Sequence, residues 1–483
     1  YYSLAHHLAH RREWLPQRAV FFCDTPAALH AQLKSLASGA SLVKQGKPER
    51  AREPGFVGEA LSSTKGPVFV FSGNGAQWLG MGCALFEHQV FKDALTEVDA
   101  LFQPLSGLSI KDQLYAALED EKAGKNRFSH TDLAQPALFA VQVGVARVLE
   151  KLGLTPQAVV GHSVGEVAAA WSAGLLDLPT AVLVIFHRSR LQETTKGLGK
   201  MTAVALAAQE VRALLFEHEL EDAVFLAGDN STRGVTLAAA EPSLEGFEAI
   251  LASQRIGYKR LDLDYAFHSP LMDSIKEPVL KALAAVSSDQ SLPQREHITS
   301  SIPFYSVVTG ARLDEEATSH NALDPHYWWD NIRKPVLFRE AIDSALQDGF
   351  TMFIEIGPHP ILQNYLRDDV QAYGEQAAQL GRAGVAVVMP TLSRQYADES
   401  ALHYAVARCA VAAGKLDWGQ QFAERPSHSL PSLQLPNYPW QKESHWHSVT
   451  AEAPDTLNRQ TLHPLLGYQL KGHDWTWEQK LDP

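Results

Sequence analysis

The chain has 483 residues, 45% of them hydrophobic, with 42 Lys+Arg against 55 Asp+Glu and a formal net charge of -13. That length holds roughly two to four compact units and a large core, which excludes disordered, collagenous and small disulfide-stapled classes. An acidic balance without a long Lys/Arg run argues against a nucleic-acid or anionic-membrane partner. Cys23, Cys83 and Cys409 are odd in number and far apart, so neither a disulfide framework nor a Cys-based zinc site is expected. No apolar run is long enough to span a bilayer and no secretion signal opens the chain, so a cytoplasmic protein is expected. Tyr1 and Pro483 are expected to be the ends of a piece excised from a longer polypeptide.

Residues 1–60 read as helix (Leu4–Trp14), strand (Ala19–Phe22) and helix (Ala27–Ala37), followed by a surface loop from Lys44 to Gly58. In the segment 61–200, the continuous apolar run Pro67–Phe71 runs into Ser72-Gly-Asn-Gly75, the pattern of a buried parallel strand feeding a glycine turn. Leu138, Val141, Val145, Val148 and Leu152 recur at helical spacing, and Ala158–Val160 is a second buried strand. Residues 201–264 change rhythm to strand, helix, two strands, helix, strand, the βαββαβ order of a small ferredoxin-like insert. The large part resumes over 265–414, with strands at Phe304–Val308, Thr351–Ile356 and Val385–Pro390. Residues 415–462 hold Pro426, Pro431, Pro436 and Pro439 and read as a linker.

Gly161-His-Ser-Val-Gly165 follows one strand and precedes the helix-forming Glu166–Trp171, which gives G-x-S-x-G its strand–turn–helix setting. The glycines relieve crowding at a sharp elbow, leaving Ser163 as a nucleophile. The N–H of Val164 points to where an oxyanion would develop, and the turn at Ser72–Gly75 offers that of Asn74 as a second donor. A serine needs a base. His268, on a loop between an extended segment and Pro270, fits somewhat better than His359 in Gly357-Pro-His-Pro360.

Phe69-Val-Phe-Ser-Gly-Asn-Gly-Ala-Gln-Trp78, Gln135-Pro-Ala-Leu138, Gly161-His-Ser-Val-Gly-Glu166, His187-Arg-Ser-Arg190, Ala266-Phe-His-Ser269 and Asn331-Ile-Arg-Lys-Pro-Val336 occur in that order. Together they resemble the acyltransferase domains of type I polyketide synthases and, more distantly, malonyl-CoA:acyl-carrier-protein transacylases. The resemblance covers nearly the whole chain. It implies an α/β fold: an α/β-hydrolase-like large subdomain with a parallel sheet, split around a ferredoxin-like small subdomain and preceded by an α+β ketosynthase-to-acyltransferase linker. Leu435–Trp446 is similar to the post-acyltransferase strap, and His463–Asp482 resembles the opening of a dehydratase domain.

The resemblance further implies that Ser163 takes an acyl group from coenzyme A with His268 as base, and that Asn74 and Val164 hold the oxyanion. Arg188 grips the free carboxylate of a malonyl-type substrate, a task suited to a planar guanidinium fork. Arg190 projects about 200° away on the same helix and cannot share it. Gln135 corresponds to a pocket glutamine, and a main-chain carbonyl near Asn331 orients the histidine. The acceptor is the phosphopantetheine thiol of an acyl carrier protein, with adjacent ketosynthase and dehydratase domains as partners and no bound cofactor or metal.

One departure is Gly73-Asn-Gly75, where the family usually has Gly-Gln-Gly; use of the backbone N–H alone makes the change cheap. The segment Tyr265-Ala-Phe-His268 mixes the methylmalonyl-type Tyr-Ala-Ser-His with the malonyl-type His-Ala-Phe-His. Phe267 should fill the space of an α-methyl, and Tyr265 and Phe267 are read as substrate-binding, so malonyl is favoured over methylmalonyl. A thioesterase- or lipase-class hydrolase and a non-catalytic docking piece are the competing readings. His6, His7 and His10 are expected on a solvated helix face, Asp348-Gly349 as a helix-ending turn, and Glu119-Asp-Glu121 as solvated surface.

Overall fold

A computed structural model describes residues 2–38, 43–44, 55–61, 64–287, 302–313, 323–380, 385–412, 416–423, 435–436, 462–469 and 475–479. It divides into two compact units, Tyr1–Pro431 and Ser432–Pro483. In the second, Tyr468–Gln469 pairs antiparallel with Trp477–Glu478. Most of the proline-rich 415–462 segment lies outside the described residues. Among the described residues no helix is long and apolar enough to cross a membrane.

The fold is α/β. Its main sheet has six strands; Phe304–Ser306, Ala158–Gly161, Pro67–Phe71, Met352–Ile356 and Val387–Pro390 run parallel side by side, and Ala311–Arg312 adds an antiparallel edge. Continuous apolar runs form the centre because helices cover both faces. Phe69 and Phe71 enter one core with Val159 and Ile354, while Val68 and Val70 enter the other with Val160 and Phe353. The alternation is the two-residue period of a strand with both sides buried. The helix Thr131–Lys151 crosses one face and is buried almost all round, so its polar Gln142 must be satisfied inside: Nε2 donates to Ser72 O at 2.8 Å.

Between Lys200 and Arg260 lies the smaller βαββαβ unit with its own core of Val204, Val211, Val235, Leu237 and Phe247. Val224–Ser231, Gly234–Ala239, Lys200–Val204 and Tyr258–Arg260 make its antiparallel sheet in that order. A fifth strand, Val336–Leu337, comes from the large part and pairs parallel with Val224–Ser231.

Two readings of the N-terminal region need correction. The segment read as a loop to Gly58 ends in a strand, Gly55–Glu59, paired antiparallel with Gln17–Phe21. Its Phe56 packs on Tyr404 and Phe22, a non-local aromatic cluster that local composition does not reveal. His6 is buried against Phe422, which His10 also meets while staying exposed, so the expectation of a solvated face fails at His6 and holds at His10. In the acidic stretch Glu119 is exposed, as expected, while the half-buried Asp120 accepts from the Arg127 guanidinium.

Candidate active site

The strand Ala158–Gly161 turns sharply into the helix Gly165–Ser172, and Ser163 at the apex has φ 53°. A side chain is strained in that region, and the flanking glycines make the turn possible. A Cβ on Gly161 would lie 2.2 Å from Glu166 Cα, and one on Gly165 would lie 2.3 Å from Phe71 O. Both obstacles are backbone and cannot swing aside. Gly165→Ala is therefore expected to cost about 1–3 kcal/mol, measured by chemical denaturation, and to displace Ser163.

Ser163 Oγ lies 2.7 Å from His268 Nε2. His268 also has positive φ, 59°, and its Nδ1 lies 3.0 Å from the carbonyl of Lys334. A carbonyl only accepts, so Nδ1 carries the proton and Nε2 presents its lone pair to the serine hydroxyl. The carbonyl facing the ring is thus that of Lys334, not Asn331. The helix Pro325–Arg333 ends there, and Lys334, in extended conformation, turns its C=O outward toward the ring. His359 meets instead the N–H of Arg394, which its Nδ1 accepts at 3.4 Å.

Arg188 is 1% exposed beneath the serine. Its Nη2 donates to Ser163 Oγ at 3.3 Å, Nη1 to Gln135 Oε1 at 2.6 Å and Gln192 Oε1 at 3.0 Å, and Nε to Asn331 Oδ1 at 3.2 Å. Burial pushes its pKa down to about 9, opposed by Glu166, so the guanidinium stays charged at neutral pH. Arg190 is exposed, its guanidinium over the Phe186 ring.

Asn331 connects these groups: its Nδ2 donates to Ser163 O at 3.2 Å and to Glu166 Oε2 at 2.6 Å. Glu166 is fully buried; burial raises its pKa to about 7 against the Val307 N–H and other hydrogen bonds that favour the carboxylate. The elbow is also tied to the small unit, since His162 Nε2 lies 2.9 Å from Asn230 Oδ1, whose amide donates to Thr236. Burial also lowers the pKa of His162, keeping it neutral.

At Ser163 and His268 opens a cleft of about 800 Å³, lined among others by Asn74, Trp78, Phe267, Met201, Asn230 and Arg394. Arg188, Gln135, Asn331, Val164 and Tyr265 stand behind this lining. Among the described residues nothing accepts a hydrogen bond from the backbone N–H of Asn74 or of Val164, which leaves both donors available. Tyr265 stacks behind Phe267, ring centroids 4.8 Å apart and planes 10° from parallel.

Sequence reasoning missed Gln192, Glu166 and the Lys334 carbonyl. Gln192 was within reach: it lies one helical turn beyond Arg188, on the same face. Glu166 stood inside the quoted motif, but only the fold gives it Asn331 and Val307 as partners.

The arrangement is a serine activated by a neutral imidazole, with two spare N–H donors and a buried cation at the same oxygen. The sequence model described as "Acyl transferase domain" matches residues 68–414. The chain is 32% identical over 465 residues to the erythronolide synthase EryA3 of Saccharopolyspora erythraea, covering 96% of this chain and 13% of that protein. It is 33% identical over 379 residues to a mycocerosic acid synthase-like polyketide synthase of Mycobacterium tuberculosis, covering 78% of this chain and 16% of the relative. The chain thus spans a small part of these relatives' length. Crystal structures of acyltransferase domains from module 8 and the second module of the salinomycin polyketide synthase superpose with TM-scores of 0.72 and 0.70 at 28% and 29% identity. They cover 85% and 89% of this chain, and 88% and 90% of their own. The chain belongs to the acyl transferase domain family, in the branch found in polyketide synthases.

Proposed function

We propose that this domain loads a malonyl unit from malonyl-CoA onto Ser163 and passes it to the phosphopantetheine thiol of an acyl carrier protein. The observation that carries the reading is the buried guanidinium of Arg188, 3.3 Å from an Oγ that is itself 2.7 Å from His268. A cation held there with no carboxylate in hydrogen-bond contact among the described residues suits a substrate that brings its own. Ser163 Oγ attacks the thioester carbonyl carbon as its proton passes to His268 Nε2. The tetrahedral oxyanion rests on the N–H groups of Asn74 and Val164. As the C–S bond breaks, His268 returns the proton to the departing CoA sulfur. The carrier thiol then gives its proton to His268 and attacks the ester, and the serine regains the proton as it leaves. Adjacent ketosynthase and dehydratase domains of one cytoplasmic polypeptide are the proposed partners, supported by the similarity to polyketide synthases.

Malonyl preference rests on Phe267, which faces the cleft where an α-methyl would project. Intact-mass measurement after incubation with mixed malonyl-, methylmalonyl- and acetyl-CoA tests this directly. A malonyl adduct that added carrier protein discharges is expected; a dominant methylmalonyl adduct would overturn the selectivity, and free malonate released at a rate indifferent to carrier protein would make the domain a hydrolase.

Arg188→Ala removes the carboxylate's partner and leaves Gln135 Oε1 without its donor, while Gln192 Oε1 keeps the one from Gln135 Nε2. Losing a charged hydrogen bond costs about 1.5–3 kcal/mol, so malonyl loading should fall at least tenfold while acetyl loading holds or rises. The ratio of the two adducts is the readout, and an unchanged ratio removes Arg188 from carboxylate recognition.

A further inference from the structure

The pair formed by Phe267 and Tyr265 is buttressed from outside the cleft. Tyr265 is 1% exposed and does not line the cavity. Its hydroxyl donates to Glu193 Oε2, and Thr131 N donates to the same carboxylate oxygen at 2.7 Å. The other oxygen of Glu193 faces His130 Nδ1 at 2.8 Å, with Lys196 Nζ 4.0 Å away. His130, Asp132 and Glu193 fall within reach of one cation. Lys196 already places an ammonium 3.2 Å from His130, however, and both Glu193 oxygens have partners. The cluster therefore works as a clamp on the tyrosine.

The clamp has a consequence for the cavity. For Phe267 to yield to a branched acyl group its ring must move back, and the stacked Tyr265 ring fills that space. Tyr265 can retreat only by breaking its bond to Glu193 or by pushing the start of the helix Thr131–Lys151, whose first N–H shares that bond. Glu193 itself ends the helix that carries Arg188 and Gln192. One helix thus positions both the carboxylate partner and the backing of the wall opposite an α-substituent.

We propose that Glu193 is a specificity-determining positioning residue, which anchors Tyr265 so that Phe267 cannot give way to α-branched malonyl units. This rests on the malonyl reading above. It also accounts for the mixed Tyr-Ala-Phe-His segment: Tyr265 buttresses and does not contact the acyl group, so selection falls to Phe267.

The test compares wild type, Glu193→Ala, Tyr265→Phe and the double variant with equimolar malonyl- and methylmalonyl-CoA, reading the adduct ratio by intact mass. One methyl in an apolar pocket is worth about tenfold or more, so each single variant should shift the ratio toward methylmalonyl by about that much. Both remove the same bond, so the double variant should shift it no further. A wild type preferring methylmalonyl would overturn the malonyl reading itself. A wild type preferring malonyl, with both single variants within about twofold of its ratio, would overturn the clamp alone. Tyr265→Phe removes a single oxygen and keeps the ring, so it decides the matter if Glu193→Ala does not fold.

Discussion

Ser163→Ala should give no covalent adduct with any acyl-CoA and should slow transfer to carrier protein by about 10⁶-fold, the scale seen when a serine nucleophile is removed from its base. The loss should be chemical, because alanine adds nothing that the elbow must accommodate. At φ 53° any non-glycine residue is strained, and alanine no more so than serine. Thermal unfolding should show only the small loss expected when the Oγ bonds to His268 and Arg188 go, about 1–3 kcal/mol at most, with the protein still folded. An adduct at wild-type level, located by peptide mapping on another residue, would exclude Ser163 as the nucleophile.

The second large effect concerns His268. Removing a positioned base costs about 10²–10⁴-fold, so His268→Ala should slow acylation by that range while leaving residual labelling of Ser163. The pH dependence is more diagnostic. Burial, then the charge of Arg188, then His162 bring the His268 pKa from 6.5 to about 3. The ring is thus neutral and able to accept a proton far below the pH at which a free imidazole fails. His268 should therefore add no inflection to the acylation rate between pH 8 and about pH 5, and any change near 7 belongs to Glu166 and should vanish in Glu166→Gln. The sign for stability is the same as for a carboxylate whose pKa is depressed by folding: stability is lost as pH falls. Below pH 6.5 the unfolded chain takes up the proton and the folded one does not, so this site lowers stability progressively between 6.5 and about 3. An inflection near 6.5 that persists in Glu166→Gln would show that His268 titrates as an ordinary imidazole.

The parts of this site legible in the sequence share one property: local pattern encodes them. The elbow around Ser163 needs glycines at fixed offsets, and a buried five-residue apolar strand such as Pro67–Phe71 announces itself. What stayed hidden depends on partners far along the chain. Any residue can offer a carbonyl, so Lys334 carries no signal until the end of its helix is placed beside His268. Glu193 reads as an ordinary polar helix end until the Tyr265 hydroxyl, 72 positions away, arrives on it. The strand Gly55–Glu59 was lost for the same reason, because its pairing partner and its aromatic neighbour Tyr404 are non-local.

The strand Val336–Leu337 bears on any attempt to exchange the small unit between related domains. A graft spliced at its two chain crossings, near 200 and 264, would leave behind one of the five strands of its sheet. That strand begins two residues after Lys334, whose carbonyl fixes the tautomer of His268. A donor insert that seats this edge differently would tilt the imidazole without altering any residue in the cleft. Hybrids of this kind should carry 334–337 from the same parent as the insert; otherwise a folded domain with every side chain in place could still be a slow one.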